Sequence, residues 1–274
     1  MRYVKNKTVF AVFGGAVCVA AAVRLAQMLA LTEYKTGFIT RGTELPFYLL
    51  SAVILIFAVL VPAFAVINKP VAKDGNSFYI ATSVFSLFTG LAVIFDVFLA
   101  PSASVPAFLG WTQIILGALT AAYFTAFGLR AFVHFPLSPK FAALPPAFFT
   151  VRAATVFIAC SSRAVTSDTV FDVCVYALLM LLFLEIARAA NGAGSKAGIK
   201  KIVFFGLSVS LLAICSSFQK LMLALIYSTA LHDGAASAVL PFAVGLYAAA
   251  VVFSRLDFVS GEKRKMGVYY VGKH

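Results

Sequence analysis

The sequence predicts an all-α, polytopic membrane protein with eight transmembrane helices and both termini in the cytoplasm. First, 62% of the residues are hydrophobic and only 12% are charged, which lies far outside the range of soluble globular proteins. Second, the apolar residues gather in eight stretches of roughly 20 residues, the length of one bilayer crossing. Third, the joining loops alternate between basic and nearly cation-free, as positive-inside topology requires.

The eight predicted spans cover about 9–31, 47–67, 78–99, 107–133, 143–162, 169–187, 202–228 and 236–254. Helices are expected throughout because lipid offers the backbone no hydrogen-bond partners. Pro145 and Pro146 suit the first turn of the fifth helix, where missing amide donors cost little. Pro62 and Pro241 fall inside spans and predict kinks there.

The distribution of cations predicts the orientation. Loops on one side hold 16 of the 22 Lys and Arg residues, while the other side holds only Lys35, Arg41 and Arg163. The basic side is therefore assigned to the cytoplasm, and a bacterial cytoplasmic membrane is the expected location. The basic start of the chain also resembles a signal peptide, but apolar character resumes after Arg24 and continues to Leu31, which favours an uncleaved first span.

Residues 1–274 are predicted to form a single membrane domain that ends in a short basic cytoplasmic tail, 255–274. No loop exceeds about a dozen residues, too few for a stable domain outside the membrane. The net charge of +12 is explained by topology and anionic lipid headgroups rather than by nucleic acid.

A weak internal repeat is also expected. A shift of 128 residues places Arg24 on Arg152 and Tyr48 on Tyr176. The halves 1–140 and 141–260 would each hold four helices and enter the membrane from the same side, which predicts a parallel 4+4 repeat.

Four ionisable residues lie on the first, third, fifth and seventh predicted helices: Arg24, Asp96, Arg152 and Lys220. Each costs at least a few kcal/mol in hydrocarbon unless it is paired or hydrated, so each needs a structural or functional reason. Asp172 lies near the outer start of the sixth helix and is a fifth member of the group. All five are placed at mid-depth or in the outer half of the membrane, so they can line one polar region.

Polar stripes at helical spacing predict which helix faces point into the bundle. On the third helix the stripe comprises Thr82, Ser86, Thr89 and Asp96. On the fourth it comprises Gln113, Gly117 and Thr120. On the sixth, Asp168, Asp172 and Tyr176 share one face, and on the seventh Ser216 and Ser217 precede Lys220 by one turn.

Two interpretations of the buried charges stay open. In the first, the charges are structural ion pairs that set the packing register: Arg24 with Glu44, Arg152 with Asp172, and Asp96 with Lys220. In the second, the three cations outnumber Asp96 and Asp172 and bind a small anionic solute from the outer side, while Asp96 takes up a proton during transport.

The leading hypothesis is binding or transport of an anionic solute, with Arg24, Arg152 and Lys220 as ligands. An accessory or assembly subunit with a membrane protein partner is the alternative, and a lipid-modifying enzyme acting through Asp96 and Asp172 is the third. Catalytic motifs such as HExxH and GxSxG are missing from the sequence. The histidines His134, His232 and His274 fall in loops or the tail, so no metal or other cofactor is expected. The four cysteines are interpreted as buried hydrophobes, and a Cys160–Cys174 disulfide is not favoured.

Overall fold

The protein is represented by a computed structural model that describes residues 6–32, 39–68, 70–72, 80–99, 106–130, 132–133, 138–161, 167–192, 196–227 and 232–258. Within these ranges it contains eight long α-helices: α1 Asn6–Leu31, α2 Glu44–Ile67, α3 Ile80–Leu99, α4 Ala107–Leu129, α5 Leu144–Ser161, α6 Ser167–Ala190, α7 Lys196–Tyr227 and α8 His232–Arg255. All eight are long and apolar enough to cross a bilayer. The eight predicted spans are confirmed, and the architecture is that of a multi-pass membrane protein.

The helix ends differ from the predicted spans by up to six residues. Helix α4 ends at Leu129, four residues early, and a 3-10 turn at Pro139–Ala143 leads into α5. Helix α7 begins at Lys196, six residues before its predicted span, because its first turns are basic and were not counted as apolar. Pro145 and Pro146 lie in the first turn of α5 as predicted, and Pro62 and Pro241 lie inside α2 and α8.

Two three-residue strands were not predicted. Strand β1, Pro70–Ala72, follows α2, and strand β2, Leu256–Phe258, follows α8; they pair antiparallel with Val71 opposite Asp257. The pairing joins the loop after α2 to the segment after α8, so these two segments lie at the same end of the bundle. An even number of membrane-spanning helices separates the two segments along the chain, as expected for segments at the same end. Assignment of this end to the cytoplasm remains a prediction.

Helix α7 is the central element of the bundle. It packs against α1, α2, α6 and α8, and 72% of its most apolar window is buried, the highest share of the eight spans. Its counterpart in the predicted repeat, α3, packs chiefly against α4 and α8. Under the repeat, the α3–α4 contact corresponds to α7–α8 and α1–α2 to α5–α6, whereas the contacts of α7 with α1 and α2 have no comparably extensive counterpart at α3. The repeat stays a prediction of the sequence.

Helices α3 and α4 approach each other closely through glycine. A Cβ atom on Gly117 would lie 2.5 Å from Val97 Cγ2, and one on Gly128 would lie 2.7 Å from Leu87 Cγ. The predicted inward orientation of both polar stripes is confirmed, since the α3 and α4 stripe residues are all buried. On α3, Ser86 donates a hydrogen bond to the carbonyl of Phe124, and Thr82 shares one with Ser254.

Aromatic rings fill the bundle in the half that contains the β1–β2 pair. Phe183 lies between Phe149 and Tyr247, with ring centroids 5.3 and 6.0 Å away and planes within 15° of parallel. Phe124 meets the edges of both Phe183 and Tyr247. Arg24, Asp96, Asp172 and Lys220 lie toward the opposite ends of their helices, and Arg152 lies at the middle of α5. The buried Glu185, which pairs with Arg188 and Lys201, is at the aromatic end.

Candidate functional site

Helix α6 organises an ion-pair network in the core. Asp168, Asp172 and Tyr176 are spaced four residues apart, so they lie on one helix face and descend about 12 Å into the bundle at 1.5 Å per residue. The side chains of Asp168 and Asp172 are 26% and 17% exposed, and Tyr176 is fully buried. Each of the three levels faces one cation from another helix.

The first level is a clamp around Arg24, which is completely buried on α1. Its guanidinium donates to Asp168 at 2.5 Å and to Gln27 at 2.8 Å. The ring of Phe171 lies 4.4 Å from the guanidinium carbon, within the range of a cation–π contact.

The clamp extends to two further helices. The Gln27 amide nitrogen donates to the carbonyl of Phe47 on α2, and Gln219 of α7 donates to Asp168 at 3.0 Å. This group, Arg24 with Gln27, Asp168, Phe171 and Gln219, is called the Arg24 clamp below. It connects α1, α2, α6 and α7.

The second level is the pair of Lys220 and Asp172. The Lys220 ammonium donates to both carboxylate oxygens, at 2.8 and 2.7 Å. Lys220 is buried and Asp172 is partly exposed, and Ser216 and Ser217, one turn before Lys220 on α7, are buried as predicted. Asp172 also lies within electrostatic range of Arg152, so the second and third levels are coupled.

The third level is the deepest, and it joins α3, α5 and α6. Arg152 of α5 donates a hydrogen bond of 2.7 Å to Oδ1 of Asp96 on α3. It also hydrogen-bonds to Tyr176, whose ring lies 5.7 Å from the guanidinium carbon. Within the described part of the chain, Asp96 Oδ2 and Arg152 Nε have no hydrogen-bond partner, and a buried polar atom without a partner costs about 1–3 kcal/mol.

The three levels are electrically balanced. They contain three cations and three carboxylates, whereas the sequence interpretation counted three cations against Asp96 and Asp172 alone. The expected excess of positive charge is therefore wrong. Asp168 supplies the missing carboxylate; it was recognised on the face of Asp172 and Tyr176 but was not counted, because it falls just before the predicted apolar span.

The predicted pairing of the charges is also wrong at every level. Prediction had paired Arg24 with Glu44, Arg152 with Asp172, and Asp96 with Lys220. Glu44 instead accepts a hydrogen bond from the amide of Gly42 in the turn before α2. The prediction paired charges that lie within one hairpin or at matching depth. In the structure α7 is central and brings α1 and α6 to one site, so Asp96 pairs with Arg152 instead.

Some predicted features lie outside the described residues: Lys35, His134, Arg163, and the tail after 258 that contains His274. The Cys174 thiol is free, in agreement with the interpretation that it is not in a disulfide. Comparisons with protein-family models, with curated proteins and with solved structures find no match.

Proposed function

We propose that the protein binds and transports a small anionic solute, with Arg152 and Lys220 as anion ligands and Asp96 as the proton-coupling acid. The observation that carries the proposal is that one hydrogen bond joins Arg152 to Asp96, while Asp96 Oδ2 and Arg152 Nε have no partner among the described residues. A fully satisfied ion pair would use both atoms. A guanidinium whose Nε is unused is suited to a carboxylate or phosphate.

The charge balance defines the coupling. An anion that binds Arg152 displaces the Asp96 carboxylate, which would then be buried without a counter-ion. Such a group neutralises by taking up a proton, because an isolated buried carboxylate is too costly. One anion and one proton enter together, so the net charge of the core does not change. The proposal is therefore symport of an anion with a proton.

The entry route follows the face of α6. Asp168 and Asp172 are the partly exposed members of the network, and they lie toward the predicted outer end of the helix. A solute arriving there meets the Lys220–Asp172 pair before the Arg152–Asp96 pair. Arg24 was also predicted to be an anion ligand, but its contacts inside the clamp favour a positioning role.

The first experiment measures thermal unfolding of the purified protein with lactate, succinate, inorganic phosphate and glycerol phosphate. We expect at least one to stabilise the wild type, and the Arg152→Gln variant to bind it about ten to a hundred times more weakly, the value of a hydrogen bond to a charged group. Arg41→Gln is the matched control, because Arg41 is an exposed arginine at the same predicted end. Undiminished stabilisation of Arg152→Gln would rule out the anion role.

The second experiment measures uptake of that solute into proteoliposomes with an inward proton gradient. The gradient should accelerate uptake by the wild type and have no effect on uptake by Asp96→Asn, which has no carboxylate at this position. Gradient-driven uptake by Asp96→Asn would remove the coupling role.

A second candidate function is an accessory or assembly subunit of a membrane complex. The balance of three cations against three carboxylates favours it, because every buried charge already has a partner. It predicts no stabilisation by any anion in the panel, together with membrane proteins that co-purify in stoichiometric amounts.

A further inference from the structure

A groove runs along the surface of the bundle where α3 and α4 meet. It has a volume of about 530 Å³, within the usual range of ligand sites. Ile94 and Phe98 of α3 form one wall, and both are exposed at the membrane-facing surface. Ala118, Ala122 and Ala126 of α4 line the groove with small side chains. The groove differs chemically from the ion-pair network, because its lining is almost wholly apolar.

The groove ends at a cation. Ala118, Ala122 and Ala126 are spaced four residues apart, and Arg130 is the next residue in that series, so it lies on the same face of α4. Arg130 keeps a helical conformation, with φ −58° and ψ −22°, and its amide donates to the carbonyl of Ala126 at 3.1 Å. It is exposed. A positive charge therefore follows directly after Leu129, the last residue of α4 that lines the groove.

The length of the groove matches one leaflet. Twelve residues separate Ala118 from Arg130, which corresponds to about 18 Å along the helix. Half of the hydrocarbon core is about 15 Å thick. Ala118 is at the middle of α4, so the groove runs from the centre of the bilayer to one interface. That interface is the predicted cytoplasmic one.

We infer that this groove binds an anionic phospholipid, with an acyl chain along Ala118, Ala122 and Ala126 and the phosphate at Arg130. The planar guanidinium of arginine presents two parallel donors that match phosphate oxygens. A second copy of the chain fits less well. A symmetric contact through this face would bring the two Arg130 side chains together at the same depth, and their like charges would repel each other. The inference does not depend on the proposed transport function.

The test is native mass spectrometry of the purified protein titrated with phosphatidylglycerol and, separately, with phosphatidylcholine. The wild type should retain phosphatidylglycerol in preference. Arg130→Gln should weaken phosphatidylglycerol binding about fivefold, the effect of one cation near an anionic headgroup, and leave phosphatidylcholine unchanged. Ala122→Phe should weaken binding of both lipids by filling the groove, and it should fold normally because Ala122 is exposed.

Lys140→Gln is the matched control, since Lys140 is an exposed cation in the turn before α5, at the same end of the bundle. It should bind phosphatidylglycerol like the wild type. Equal loss in Lys140→Gln and Arg130→Gln would show general charge attraction and overturn the site. A dimer that Ala122→Phe dissociates would show that a second copy occupies the groove, and would overturn the lipid assignment.

Discussion

Arg24 and Arg152 occupy equivalent positions in the predicted repeat, yet their surroundings differ. Arg24 donates to Asp168 and Gln27 and lies against the ring of Phe171. Arg152 donates a hydrogen bond to Asp96, whose second oxygen has no partner among the described residues, and its other partner is Tyr176. We interpret Arg24 as a structural fastener, a residue that holds several helices together, whereas the proposed function expects Arg152 to exchange its partner.

The difference arises from the neighbouring helices. Arg24 faces α7, the most buried span, which brings Gln219 to Asp168. Arg152 faces α3, which packs closely against α4 through Gly117. The same residue type therefore lies in two different surroundings. The predictions below test this contrast from the largest expected effect to the smallest.

The largest effect is expected from Arg24→Gln. The substitution removes the ion pair with Asp168 and the cation–π contact with Phe171, and it leaves the Asp168 carboxylate without its counter-ion. Breaking a buried ion pair by removing one partner costs about 3–5 kcal/mol. Thermal unfolding in detergent should show this loss.

The control for Arg24→Gln is Arg188→Gln. Arg188 pairs with Glu185, but its side chain is 55% exposed, so its loss should change stability by less than about 1 kcal/mol. If the two variants unfold at the same temperature, Arg24 is not a structural fastener. The unfolding temperature of Arg24→Lys should fall between those of Arg24→Gln and Arg188→Gln, because lysine keeps the charge but lacks the planar guanidinium group.

A smaller loss is expected from Gly117→Ala. The added Cβ would meet Val97, the residue after Asp96, at 2.5 Å. Overpacking of this kind costs about 1–3 kcal/mol, and it should disturb the Arg152–Asp96 pair while leaving the Arg24 clamp intact. Thermal unfolding and anion binding should therefore both weaken.

Gly110→Ala is the control, since no atom lies within 4 Å of a Cβ at that position on the same helix. Equal effects of the two glycine substitutions would mean that the close contact between α3 and α4 does not support the site.

The smallest effect is expected in a double-mutant cycle of Arg152→Gln and Asp96→Asn. Because one hydrogen bond joins the two residues, their coupling energy should be about 0.6–1.7 kcal/mol, the range of polar contacts in membrane interiors. Thermal unfolding of the two single variants and the double variant measures it. A coupling energy as large as the whole effect of Arg24→Gln would show that this pair is also a structural fastener and would count against partner exchange.

Much of the fold was predictable. The eight spans follow from apolar length, and the polar stripes on α3 and α4 follow from helical spacing; both are confirmed. The strand pair could not be anticipated, because three residues in a loop carry no periodic signal. The orientation of the termini and the internal repeat remain predictions.

The buried charges illustrate the limit of the sequence. It identified Arg24, Asp96, Arg152, Asp172 and Lys220 as charges whose burial in hydrocarbon must be compensated by a partner or by water, since the cost of burying a charge depends on residue type and depth. It placed Asp168 on the correct face of α6 as well. It assigned every partner incorrectly, because spacing along a helix shows which residues share a face but not which helix that face meets.

By itself, the sequence determined the number of membrane spans and the residues that must avoid lipid, because both depend on local hydropathy and on the 3.6-residue period of the helix. Only the tertiary structure decided that α7 is central, that the three cations meet three carboxylates, and that Asp96 pairs with Arg152. The physical reason is that an ion pair needs two atoms within about 3 Å, and that distance is set by how the helices pack and rotate about their axes.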